Sequence, residues 1–138
     1  MGQEDLFKKQ LDQLALLLGK TLTTILQLRE KPGINISEQS FKTIREELNL
    51  DVNELLLQPS DKLMNLLRDN YGYQNEHLNI LSEIFYETAC LLYENGEIEK
   101  AKLVFERALI LFEFENKTKK DLALERIFKI QKINHLLI

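Results

Sequence analysis

Apolar residues early in this chain recur in alternating steps of four and three: Phe7, Leu11, Leu14, Leu18, then Ile25 and Leu28, with Thr21 filling the one gap. A strand would repeat them at every second position, whereas steps of three and four keep side chains on one side of a helix. Leu17, Leu22 and Leu26 widen the stripe beyond a coiled-coil seam, to the width a helix uses when it packs into a globular core. The same spacing returns at Leu78, Leu81, Ile84, Phe85, Ala89 and Leu92. Beyond Asn95-Gly96 it continues at Ile98, Ala101, Val104, Phe105, Ala108 and Leu109. Residue choice agrees with the spacing: 28 Leu stand against 2 Val, which favours helix over strand. The pattern predicts an all-α fold, a compact bundle of five to six helices. At 138 residues the chain has length for one core, so 1–138 reads as a single helical domain. Its N-terminal helices span 1–70, and a helical hairpin with a capping helix spans 76–138.

The first helix is expected over about Asp5 to Leu28, stopped by Pro32 and Gly33, because proline cannot continue the hydrogen-bond ladder. A second runs from a serine cap, Ser37 or Ser40, to about Leu48, with Phe41 and Ile44 on its inner side. A short helical turn precedes Pro59, and a third helix follows, capped by Ser60, with Leu63, Met64, Leu66 and Leu67 buried. Glu76 opens the fourth, Glu97 the fifth, and the last covers roughly Lys120 to His135. No strand pattern competes with these.

Within the hairpin, Phe85 and Ala89 are followed by Ala101, Phe105 and Ala108, with Gly96 in the turn. Alanines on facing positions let two antiparallel helices approach closely, and a ring every turn or so fills the space between them. The stretch from Glu83 to Glu115 resembles the tetratricopeptide repeat, a helix-turn-helix unit of about 34 residues. It departs from that pattern at Leu92, Thr88 and Glu113, where tyrosine, leucine and proline are usual. The whole chain is similar to small bacterial proteins with helices ahead of such a hairpin, a likeness that carries no activity. An isolated repeat is unstable, so neighbouring helices must complete it. The resemblance implies a partner-binding face on the first helix of the unit, at Glu83, Tyr86, Cys90, Tyr93 and Glu94. The alternative is that the N-terminal helices cover this face and its tyrosines are core.

No arrangement of residues points to catalysis. Cys90 sits mid-helix near Glu83, Glu87 and Glu94, a setting that opposes a reactive thiolate. His77 and His135 lack companions at metal-ligand spacing, and the five glycines form no phosphate-binding loop. The reading is therefore a non-enzyme with no metal and no cofactor.

Charge is uneven. Residues 116–138 hold six cations, Lys117, Lys119, Lys120, Arg126, Lys129 and Lys132, against Asp121 and Glu125, while the chain as a whole is at −4. This basic patch could attract an acidic protein or pair with the acidic hairpin. Few aromatics interleave with it, which disfavours nucleic acid. The run from Leu14 to Leu28 is broken by Lys20 and three threonines, so it reads as neither signal peptide nor membrane span. With one cysteine, a cytoplasmic setting is expected. The expected role is a non-catalytic protein-interaction module that takes another protein or peptide. The competing role is a self-associating structural protein, a homodimer formed through the first helix or the apolar tail 133–138.

Overall fold

A computed structural model describes residues 2–31, 35–121 and 123–138. The described chain is entirely helical, with seven α-helices and no strand. These are α1 (Gln3–Gln27), α2 (Ile36–Leu48), α3 (Val52–Leu57), α4 (Leu63–Asn65), α5 (Asn75–Glu94), α6 (Ile98–Thr118) and α7 (Leu124–Leu137). The count exceeds five or six because 52–57 forms a helix in its own right. The Asp51 carboxylate accepts from the Glu54 amide at 3.2 Å and fixes the start of α3.

Several boundaries differ from those the sequence suggests. The start of α2 is capped by Asn35, whose side chain accepts from the Glu38 amide at 3.1 Å. Ser37 and Ser40 lie inside the helix, and the Ser40 hydroxyl donates back to the Ile36 carbonyl at 2.6 Å. Ser60 caps nothing by its side chain; it opens a 3-10 turn, Ser60–Lys62, that leads into α4 and then a π turn at Leu66–Asn70. Pro32 and Gly33 lie outside the described residues, and α1 has already tightened into a 3-10 turn at Leu28–Glu30. Gly96 adopts φ +84° between α5 and α6, the left-handed conformation that favours glycine, and so closes the hairpin.

Packing centres on α5. Leu78, Leu81, Ile84, Phe85, Ala89 and Leu92 are all buried, as are Ala101, Val104, Phe105 and Ala108 from α6. Helices α5 and α6 pack against each other, and Ala89, Ala101 and Ala108 are buried in them. Helix α1 lies along α5 in the same direction. Near the start of α5, His77 Nε2 meets the Leu11 carbonyl at 2.9 Å, and at its end Arg29 meets Glu94 at 3.2 Å. Helix α7 also runs with α5, since Lys129 reaches Glu83 and Lys132 reaches Cys90. Helix α2 packs on α1 and α5, and α6 on α5 and α7. Arg107 ties in α3 by donating to the carbonyls of Leu56 and Gln58 at 3.3 and 3.0 Å, the last turn of α3, where a cation is favourable.

One expectation fails at the N-terminus. Leu11 is half-buried and Leu18, Ile25 and Leu28 are buried, but Phe7 is 57% exposed. The residues of the first two turns of α1, 3–10, are all exposed.

Candidate functional site

The five residues expected to form a partner face separate on α5. Tyr86 is only 7% exposed, and its ring meets the edges of Phe105 and Phe112, with centroids 5.9 and 6.0 Å away. The ammonium groups of Lys129 and Lys132 lie 5.3 and 5.6 Å from the Tyr86 ring centre, near enough for cation–π attraction. Cys90 is 6% exposed beneath Lys132. These two are core residues under α7: where the N-terminal helices were expected as the cover, Lys129 and Lys132 of the C-terminal helix lie over them, and Arg29 reaches one edge of the face at Glu94 and Glu87. Burial raises the phenol of Tyr86 above its ordinary value. It also raises the Cys90 thiol, with Glu87 and Glu94 reinforcing the shift and Lys132 opposing it. A thiol held protonated in this way is a poor nucleophile.

What remains open on α5 is a narrow stripe: Ile80, Glu83 and Glu87 half-buried, Glu94 exposed. It is bridged from both sides. Lys129 pairs with Glu83, and Arg29 grips both oxygens of Glu94 at 3.2 Å, with Glu87 at 3.9 Å. Tyr93, 38% exposed, is the one expected contact residue with a free aromatic face.

The basic cluster divides: Arg126 is buried and Lys129 half-buried, while Lys117, Lys119, Lys120 and Lys132 are exposed. Arg126 is buried and donates to Glu115 at 3.1 Å, Asp121 at 2.9 Å and the Asn116 side chain at 2.5 Å. That hydrogen bond from Arg126 holds the Asp121 carboxyl below its ordinary range. Lys119 joins Glu115 at 3.2 Å. Among the described residues, only Lys117 and Lys120 of the six have no acidic or aromatic partner. Three of the six, Arg126, Lys129 and Lys132, link α7 to α5 and α6.

The sequence reading missed the other side of α7. Arg126, Ile130, Ile133 and Leu137 turn toward the core, or lie half-buried along it. Displaced by two residues, and so on the opposite face, are Leu124, Phe128, Gln131 and His135, all exposed. Leu124 is 60% and Phe128 63% exposed, one turn apart. The signal was present, because the same four-three-four step occurs twice in one helix.

Two further features are accounted for by structure. His77 is fully buried; its Nδ1 accepts from the Gln74 amide at 2.9 Å, which leaves Nε2 to donate to Leu11. A cleft of about 300 Å³ opens beside Phe41, where Lys42, Arg45 and Lys100 alternate with Glu38 and Asp51. Asp51 is already occupied as the α3 cap, and the mixed charges select no ligand class. Among the described residues, no three His, Cys, Asp or Glu side chains converge to hold a metal ion. No described helix is long and apolar enough to cross a membrane. No protein-family model matches the chain, and neither does a curated protein or a solved structure.

Proposed function

We propose that this chain is a non-catalytic protein-interaction module, a short stack of TPR-like helices that meets another protein chain through the outer face of α7. The observation that carries the reading is the exposed pair Leu124 and Phe128. The outermost helix of a repeat stack needs a polar outer face to stay soluble, and a pair of large apolar side chains there suits a contact surface. The close approach of α5 and α6 at Ala89, Ala101 and Ala108, all buried, supports the repeat-like part. So does the shared direction of α1, α5 and α7. The stripe on α5 is a weaker candidate, because its acids are already paired with Arg29 and Lys129.

Placing a photo-crosslinking benzoyl-phenylalanine at position 128 tests this reading in cells that make the protein. An adduct is expected from position 128, with none from the exposed control positions Leu16 and Leu57. Absence of any adduct at 128, or equal adducts at all three positions, contradicts it.

A further inference from the structure

Resting on that reading, we infer that the partner of the α7 face is a second copy of this chain, packed helix against helix in antiparallel fashion about a two-fold axis beside Phe128. The face is a stripe, Leu124, Phe128, Gln131 and His135, apolar at its first two positions. Its charged border lies on one side only. Glu125 and Lys132 are seven residues apart, hence two turns along the same edge. Neither forms an ion pair with another side chain among the described residues; Lys132 touches only the Tyr86 ring and the Cys90 sulfur.

An antiparallel two-fold brings like edges of the two helices together and reverses their order. Glu125 of one copy then faces Lys132 of the other wherever the axis lies midway between the two residues. That midpoint falls beside Phe128, the largest exposed apolar side chain of the helix. One operation therefore pairs both charges twice and buries both rings at the centre, as an isologous interface requires. The opposite edge carries Ala123, Ile127 and Asn134, so no like charges collide there. A parallel pair would set Glu125 and Lys132 against this uncharged edge and leave them unmatched. The contact involves only a few side chains per copy, well below a standard interface, so a reversible dimer with a Kd on the order of micromolar or weaker is expected.

The test is solution mass by sedimentation equilibrium from low to several hundred micromolar protein. The 16.2 kDa chain should approach twice its mass with rising concentration. Glu125→Lys alone should weaken association about tenfold, because it sets Lys against Lys132 of the other copy. Combining it with Lys132→Glu should restore association. Phe128→Glu should leave a monomer whose unfolding midpoint matches the parent measured at monomeric dilution, which separates lost association from lost folding. A mass of one chain at every concentration overturns the second-copy partner, and so does a double charge swap that keeps the unfolding midpoint of the parent yet fails to rescue. A heterologous adduct from position 128 together with a monomeric chain would leave the α7 contact surface standing and exclude self-pairing. No adduct would remove both.

Discussion

Helices α5 and α7 run in the same direction and are built from similar apolar residues, yet they differ widely in burial. Twelve of the twenty residues of α5 are buried, with α1 and α6 packed on it and Lys129 and Lys132 of α7 reaching over Tyr86 and Cys90. Along α7 only Arg126 and Ile133 are fully covered, and Leu124 and Phe128 face outward. The difference lies in how each helix is held. Helix α5 is covered on several sides, whereas α7 is held along one face, by Ile133 with Ile130 and Leu137 and by Arg126 to Glu115, and at one edge by Lys129 to Glu83. A helix held along one face can offer the opposite face to another chain, and one covered on several sides cannot. The proposed contact surface therefore falls on α7 and not on α5.

The largest effect should separate two phenylalanines. Phe105→Ala empties the space between α5 and α6 and should lower stability by about 3–5 kcal/mol. Phe128→Ala should stay within about 0.5 kcal/mol in dilute urea titrations. Comparable losses for the two would erase the distinction between the helices. A middle-sized contrast lies within α5 itself. Tyr86→Ala should cost roughly 2–4 kcal/mol, since the ring is packed on Phe105 and Phe112. Tyr93→Ala should be near neutral, and a stable, fully folded Tyr86→Ala would return Tyr86 to the surface.

The smallest effect concerns the junction leading into α5. The Tyr73 hydroxyl is buried without a hydrogen-bond partner among the described residues, so Tyr73→Phe should stabilise the protein by about 1 kcal/mol. Burial pushes the Tyr73 phenol up to about 12. The folded chain therefore keeps this proton where the unfolded chain begins to lose it, above pH 10. The associated stability is present below pH 10 and falls as the pH rises toward 12, by at most about 2–3 kcal/mol. Chemical unfolding at pH 8 and pH 11 should show a smaller alkaline loss in Tyr73→Phe. An unchanged loss would mean that the ring is hydrated.

Much of the helical architecture was legible because it depends on near-neighbour spacing. The inner faces of α5 and α6 follow from the steps of Leu78 to Leu92 and Ala101 to Ala108, and Gly96 marks the turn between them. Caps were less legible. Ser37 and Asn35 can both accept from a helix start, and only the entry angle of the chain decides between them. The candidate surface was least legible, because burial of Tyr86 depends on where a helix some forty residues later comes to rest. Lys129 and Lys132 read as part of a solvent-facing basic patch until α7 is laid across α5. Phe7 shows the converse: its helical phase is correct, but α5 begins too late along α1 to cover it.

Hydroxyl-radical footprinting of the intact chain at low and high concentration compares the two helices most directly. The account predicts that Tyr86 is protected throughout and Tyr93 is labelled throughout. Leu124 and Phe128 should be labelled when dilute and become protected as the chain is concentrated, with Leu16 and Leu57 unchanged. Labelling of Tyr86 as ready as that of Tyr93 would contradict the account. So would labelling of Phe128 that stays flat across concentration and in cell extract.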